Sequence, residues 1–309
     1  MSHEQATSVF LMHRSRLLHL AYRMLGTVSE AEDIIQETYL RWQAVDQAEV
    51  ASPAAFLTSV TTRLCLDQLR SARHRREAYL GPWLPEPLVE DLPSDAFETA
   101  QEVSVAMLMA LERLSPLERA VFILHDVFEM GFQELAAVLE RSEAACRQLA
   151  VRARVHVQDA RQRFDVAPAK VGELLKAFMS ASRQGDVGTL QALLAEEVIV
   201  YTDGGGKRPA ALNPIRGLRN AVRFFEGLAR KRHLIPRSGR LALISGTPGF
   251  VTLEQDGIIQ TTALDIEDGR IMAIYIIRNP DKLSHLTDLR ASLLAKAAQP
   301  ALADPAGGR

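Results

Sequence analysis

Through residue 160 the apolar positions recur at helical spacing. Between residues 5 and 25, Val9, Phe10, Leu17, Leu20, Ala21 and Met24 fall on one face, and Gly26 follows as a favoured helix-ending residue. Ser29 and Glu32 have the spacing of a capping box, which predicts the start of a second helix carrying the run AEDIIQETYLRWQ. Ser52-Pro53 opens a third, because proline at the first helical position gives up an N–H that has no helical partner there. Its apolar stripe is Phe56, Leu57, Val60, Leu64 and Leu69, and it ends in a run holding Arg70, Arg73, His74, Arg75 and Arg76.

Over residues 80–97 the periodicity stops. Pro82, Pro85, Pro87 and Pro93, with Glu86, Glu90, Asp91 and Asp95, predict an extended, flexible acidic connector and a first domain boundary. Helical spacing resumes at 97–114. Ser115, Pro116 and Glu118 then combine a capping box with proline in the first turn. Two further helices follow, 132–139 and 143–163, separated by the three residues Glu140, Arg141 and Ser142.

Past Pro168 the grammar changes. Short helices at 171–182 and 187–194 precede a β-type run at 198–201, a glycine loop from Asp203 to Lys207, and a helix at 218–231. Strand chemistry occupies 240–245, 250–255, 258–266 and 270–278, and Asp256-Gly257 and Asp268-Gly269 supply hairpin turns. This half predicts an α+β domain with a curled antiparallel sheet. Residues 297–309 read as a disordered tail.

Composition bounds these readings. The 309 residues exceed one compact module, and 47% hydrophobic content can fill ordinary cores. No apolar run reaches the roughly 20 residues of a membrane-spanning helix, and the N-terminus lacks a basic-then-apolar leader, so a soluble, cytoplasmic protein without a membrane partner is expected. Cys65 and Cys146 are the two thiols. Both lie on apolar helical faces, which predicts core residues and excludes a disulfide framework or Cys-rich zinc site; no metal or other cofactor is expected. Net charge is −2, unevenly spread: residues 1–163 hold 17 arginines, no lysine and 23 carboxylates, and the remainder holds 19 basic and 15 acidic residues. An acidic half argues against a free nucleic-acid binder, which carries a basic footprint, so the positions of the arginines matter more than their sum.

Three constellations carry candidate chemistry. Residues 132–154 have the shape of a helix-turn-helix, whose second helix enters the major groove. Arg141, Arg147, Gln148, Arg152 and Arg154 could bond base edges and neutralise phosphates there. A plain helical hairpin with a solvated basic face has the same spacing. Residues 63–76 gather five arginines and His74 around Asp67, either a nucleic-acid contact or cations complementing a helix C-terminus. Residues 30–42 line Glu32, Asp33, Gln36, Glu37 and Arg41 above Ile34, Ile35 and Trp42, either a partner surface or an ordinary amphipathic helix.

Their order narrows the choice. A capped acidic helix, a helix ending in arginines, a linker and a C-terminal helix-turn-helix resemble the extracytoplasmic-function (ECF) sigma factors of bacterial RNA polymerase over residues 5–163. The tight motifs are AEDIIQE at 31–37 and LSPLER at 114–119. WLPEP at 83–87, DGGGK at 203–207 and NPDKL at 279–283 resemble the marks of a subgroup with a fused SnoaL-like domain. The resemblance implies two all-α domains, the second with a helix-turn-helix, followed by an α+β SnoaL-like/NTF2-like cone domain. The implied boundaries are 1–78, a linker at 79–97, 98–165, 168–297 and a tail at 298–309. It also implies no catalysis and two macromolecular partners: core RNA polymerase, through the largest-subunit clamp and the flap, and promoter DNA. Asp33, Gln36, Glu37 and Arg41 would bind the clamp, with Trp42 as a core anchor. Arg63, Arg70, Arg73, Arg75 and Arg76 would bind the −10 element, and Arg141, Glu143, Arg147, Gln148 and Arg152 the −35 element.

For the C-terminal domain the resemblance implies a cone with a pocket. Tyr201, Asp203, His233, Asp265 and Tyr275 could place acid or base groups near it, or sense a small ligand; each could equally be a satisfied structural residue. Regulation in cis is the favoured role, through Trp83, Pro85, Asp203, Gly204, Gly205, Lys207, Asn279, Asp281 and Lys282. The glycine triplet would permit close approach to the linker motif or to 279–283. A stand-alone helix-turn-helix regulator and an enzyme with a DNA-binding appendage are the competing classes.

Overall fold

The computed structural model describes residues 3–47, 49–77, 79–91, 104–157, 168–231 and 236–298. Two compact units share the chain: Met1–Leu88 with Glu98–Arg163, and Val89–Phe97 with Phe164–Arg309. The expected disordered tail and the second half of the connector lie outside the described residues.

The helical unit holds α1 (His3–Leu25), α2 (Val28–Ala44), α3 (Pro53–Glu77), α4 (Val105–Leu111), α5 (Pro116–Phe122), a π-helical turn (Ile123–Val127), α6 (Phe132–Leu139) and α7 (Glu143–Val157). One continuous core runs through it, from Leu20, Trp42 and Leu57 to Phe122, Leu135 and Ala150. Each large side chain buried there stabilises by about 1.5–3 kcal/mol. The first three helices and the last four therefore share an interior. Arg119 reinforces that junction: its guanidinium, 3% exposed, donates to the Met24 carbonyl at 2.7 Å and pairs with Glu112 at 2.8 Å. Burial pushes Arg119 down to about 10, which leaves it cationic at neutral pH. Cys65 and Cys146 are buried, as expected.

The two capping boxes fare differently. Ser115 and Glu118 form theirs reciprocally at the start of α5. At α2 the helix begins one residue before Ser29, Thr27 is the N-cap, and its hydroxyl bonds Glu30 at 2.6 Å. The first amides, Val28 and Ser29, donate instead to the Glu86 carboxylate at 2.7 and 3.3 Å. An anion here satisfies orphan donors and complements the helix dipole. The connector is thus not flexible over its first part. Glu86 also donates its N–H to Gly26 O at 2.8 Å and accepts the Tyr22 hydroxyl on its carbonyl at 2.7 Å.

The sheet unit holds β1 (Val89–Asp91), α8 (Pro168–Gln184), α9 (Val187–Leu193), β2 (Leu194–Asp203), β3 (Ile215–Arg216), α10 (Leu218–Ala229), β4 (Ser238–Ile244), β5 (Thr247–Leu253), β6 (Ile259–Glu267), β7 (Arg270–Ile277), a 3-10 turn (Pro280–Leu283) and α11 (Thr287–Ala298). The strand order is β1-β4-β5-β6-β7-β2-β3. The hairpin turns are as expected, with Gly257 at φ +76° and Asp268 and Gly269 at φ +50° and +76°. Three features correct the sequence reading. β2 runs parallel to β7, so the sheet is not wholly antiparallel. Two short edge strands, β1 and β3, were not expected, and β1 comes from the connector itself, paired to β4. β2 also extends four residues earlier than its β-branched run. α8, α9 and α10 cover one sheet face through Phe178, Leu190 and Phe225, which pack with Phe250, Leu264 and Ile274.

Candidate nucleic-acid interface

α6 stops where Glu140 turns left-handed, at φ 55° and ψ 48°. Ser142 restarts the chain as a helix, its hydroxyl accepting the Ala145 N–H at 3.2 Å. The turn is the three residues expected. Leu135, Val138 and Leu139 from α6 bury against Cys146, Leu149, Ala150 and Ala153 from α7, which turns Arg141, Glu143, Arg147, Gln148 and Arg152 outward. Arg147 is the most constrained of them: it pairs with Glu143 at 3.1 Å and its guanidinium lies 4.5 Å from the Phe132 ring centroid. Arg152 reaches Glu118 at 3.4 Å. Burial would raise the Glu118 carboxyl, but hydrogen bonds from Ser115 and the nearby Arg152 and His156 outweigh it and hold it below its ordinary value. Sequence reasoning missed the support from Phe132 and the exposure of Val151 and Val155; their spacing along α7 was the available signal.

On α3, Arg63 is exposed and pairs with Glu140 of the helix-turn-helix turn at 2.9 Å, and Arg70 pairs with Asp67 at 3.0 Å. Both pairs are solvated, so they hold little energy and leave the arginines available. Arg73, Arg75 and Arg76 fall in the last turns of α3; their side chains lie outside the described residues. α2 divides cleanly. Ile34, Ile35, Thr38 and Trp42 face inward, and Trp42 donates its Nε1–H to Ala6 O at 2.9 Å. Asp33, Gln36, Glu37 and Arg41 face outward, with Arg41 bonded to Glu37 at 2.9 Å. Leu40, 59% exposed among them, was not anticipated. Beside this face an open cavity of about 420 Å³ is lined by Phe10, Leu11, Arg14, Ile35, Gln36 and Tyr39.

In the sheet unit the two sequence motifs meet each other. Lys282 Nζ lies 2.8 Å from Asp203 Oδ2, both buried, and Lys207 Nζ lies 2.6 Å from the exposed Asp281 carboxylate. Asp203 Oδ1 accepts the Gly205 N–H, and its carbonyl accepts the N–H groups of Arg278 and Asn279. A Cβ on Gly205 would come within 2.2 Å of the Asn279 amide, and one on Gly204 within 2.2 Å of Arg208 O. The triplet thus lies close against 279–283 within the sheet unit itself. Asp203 is committed to Lys282, the Gly205 N–H and the turn after β7, which ties the central group of the acid/base reading into a structural role. Tyr201 and Tyr275 stack with centroids 5.4 Å apart, and burial pushes the Tyr275 hydroxyl up. His233 lies outside the described residues. Trp83 and Pro85 sit in the helical unit, the Trp83 ring edge against Gly26.

Residues 9–75 match the sequence profile described as Sigma-70 region 2, and residues 104–157 that of Sigma-70 region 4. The chain is 42% identical over 291 residues to the ECF RNA polymerase sigma factor SigJ of Mycobacterium tuberculosis, spanning 90% of this chain and 93% of that protein. It is 32% identical over 295 residues to the probable ECF RNA polymerase sigma factor SigI of the same species, spanning 94% and 98%. The crystal structure of M. tuberculosis SigJ superposes with a TM-score of 0.73 at 38% identity, covering 90% of this chain and 98% of that one. No helix among the described residues is long and apolar enough to cross a membrane.

Proposed function

This chain belongs to the ECF family of RNA polymerase sigma factors, whose shared activity is promoter-directed transcription initiation, and from that premise we propose how its exposed faces divide the task. Asp33, Gln36, Glu37 and Arg41 on α2 bind the clamp of the largest polymerase subunit. Arg63, Arg70, Arg73, Arg75 and Arg76 on α3 bind the −10 element, where melted bases and backbone are gripped electrostatically. Arg141, Glu143, Arg147, Gln148 and Arg152 bind the −35 element as duplex, and residues 98–165 meet the flap. The acidic surfaces of residues 1–163 serve protein contacts, so affinity for free DNA is weak and binding works through the polymerase.

The observation that supports this reading best is Arg147, pinned between Glu143 and the Phe132 ring on an outward helix face. A guanidinium so held loses little freedom when it bonds a guanine edge. Transcription in vitro with core polymerase tests it. Adding the chain should produce promoter-specific initiation on genomic fragments, and Arg147→Ala should abolish most of it. A stand-alone helix-turn-helix regulator would bind its operator equally well without polymerase. No initiation on any fragment sinks the proposal.

We propose further that the sheet unit modulates promoter binding in cis, with Trp83, Pro85 and the interlocked 203–207 and 279–283 segments as the regulatory elements. Supporting this, the connector contributes β1 to the sheet, where Asp91 pairs with Arg240. Tethering makes even weak contacts of this kind effective through high local concentration. Lys207→Ala and Arg240→Ala should change transcription from a fixed promoter while leaving the unfolding curve of the chain in place. Unchanged transcription from both variants would remove the regulatory role.

A further inference from the structure

Val151 and Val155 stand 60% and 65% exposed on α7, although its other large apolar side chains, Cys146, Leu149 and Val157, are buried. At about 100° per residue, Ala144, Val151 and Val155 fall within about 20° of one line along the helix. Arg147 flanks that line on one side, Gln148 and Arg152 on the other. The centre of the outward face is therefore apolar and its borders are cationic or amide. Solvated valine contributes nothing to the core and is a poorer helix former than alanine, so folding does not account for the stripe.

The flanking charges identify what covers it. Arg141, Arg147, Arg152 and Arg154 surround the stripe. Arg147, Arg152 and Arg154 pair with Glu143, Glu118 and Asp126 but stay 59%, 62% and 46% exposed, so these solvated guanidiniums can turn to phosphate. The helix-turn-helix geometry directs this face at a major groove. The apolar feature a major groove offers is the C5-methyl of thymine. Val151 lies one turn beyond Arg147 and is the nearer of the two valines to the start of α7, the end that meets base edges in this geometry; Val155 lies a further turn along.

We propose that Val151 is a specificity-determining residue of this interface: its methyls pack on the C5-methyl of one thymine in the −35 duplex and select T over C at that position. The inference rests on α7 reading duplex DNA, as proposed above.

A methyl-deletion cycle tests it. The full chain assembled with core polymerase selects its preferred duplexes from a pool randomised over the −35 segment. Each thymine of the selected duplex is then replaced by deoxyuridine, which removes only the methyl. One such replacement should weaken binding about three- to five-fold, the worth of one buried methyl-sized group. Val151→Ala should weaken the thymine duplex by a similar factor and be insensitive to that same replacement. Alanine favours the helix, so the variant folds. If no thymine methyl matters, or the replacement costs the parent and Val151→Ala equally, the assignment fails. It also fails if Val151→Ala weakens all duplexes alike or weakens capture of core polymerase, which would make the stripe a protein contact. A pool from which no sequence is selected overturns the promoter-reading function itself.

Discussion

Lys282 places its Nζ 2.8 Å from Oδ2 of Asp203, with the side chains 7% and 0% exposed. The pair joins the end of β2 to the 3-10 turn after β7, two points 79 residues apart in sequence. Removing one member leaves a buried charge unpaired, which costs about 3–5 kcal/mol, whereas replacing both can be nearly neutral. Lys282→Met should therefore destabilise the sheet unit by about that amount in urea unfolding, and Asp203→Asn/Lys282→Met should recover much of it, because Asn still accepts the Gly205 N–H. Lys207→Ala, which removes a solvated pair, should cost less than about 1 kcal/mol. Equal losses from Lys282→Met and Lys207→Ala would contradict this account. The contrast also makes Lys207, not Asp203 or Lys282, the cleaner site for testing regulation, since its loss does not confound function with unfolding.

Glu254 supplies a pH signature. Burial raises its carboxyl above the ordinary value, against the lowering effects of the Thr252 hydroxyl and of Arg278 and Arg183. The folded chain then holds this proton at pH values where the unfolded chain has lost it. Its contribution is full below the ordinary carboxylate range, near pH 4.3, and is lost as pH rises through the raised folded value. Glu254→Gln, which keeps an acceptor for Thr252, should be more stable than the parent at neutral pH, with the gap closing as pH falls toward 4. A Glu254→Gln variant less stable than the parent at neutral pH would mean that attraction to the Arg278 and Arg183 charges dominates.

Glu86 caps α2 from a segment nearly sixty residues away, meeting Val28 N–H at 2.7 Å. Capping bonds of this type contribute about 0.5–2 kcal/mol. Glu86→Ala should destabilise the helical unit by about 1–2 kcal/mol, and Glu86→Gln by less, because the amide keeps an acceptor but loses the charge that complements the helix dipole. Since α2 carries the proposed polymerase face, core binding measured by competition should weaken in the same order. An unchanged unfolding midpoint in Glu86→Ala would rule out the capping role.

Arg63 and Glu140 touch at 2.9 Å, yet the proposed targets of α3 and α7 lie about 25 base pairs apart, on the order of 80 Å along B-form DNA at about 3.4 Å per step. Both elements cannot be read with α3 and the α6–α7 turn in contact. Dyes on cysteines introduced at Asp67 and Glu134 should show high energy transfer in the free chain and low transfer once core polymerase is bound. Cys65 does not compete for the label, since burial pushes its thiol well above the ordinary range. Unchanged transfer in a transcribing complex would overturn this expectation.

The local features of this protein were readable from its residues. The bounds of α6 and the start of α7, the Ser115–Glu118 box and the Asp-Gly hairpins each depend on groups within a few positions of one another, and backbone sterics and capping act at that range. The apolar side of α2, with Ile34, Ile35 and Trp42, followed from periodicity, and Trp42 as its anchor from the family resemblance. The order of these local features, more than any one of them, was what pointed to the family.

Tertiary structure decided whatever required a distant partner. The α2 cap comes from Glu86 and not from Glu32, because a buried segment returned a carboxylate to free amides. β1 forms because the exposed edge of β4 offers unpaired backbone groups to a connector with no helical propensity of its own. The parallel β2–β7 pair, the Asp203–Lys282 lock and the Arg119 bond to Met24, 79 and 95 residues apart for the last two, are encoded in no local pattern. A buried charge or an open strand edge must be satisfied by whatever the fold brings near, and the chain's sequence order does not say what that is.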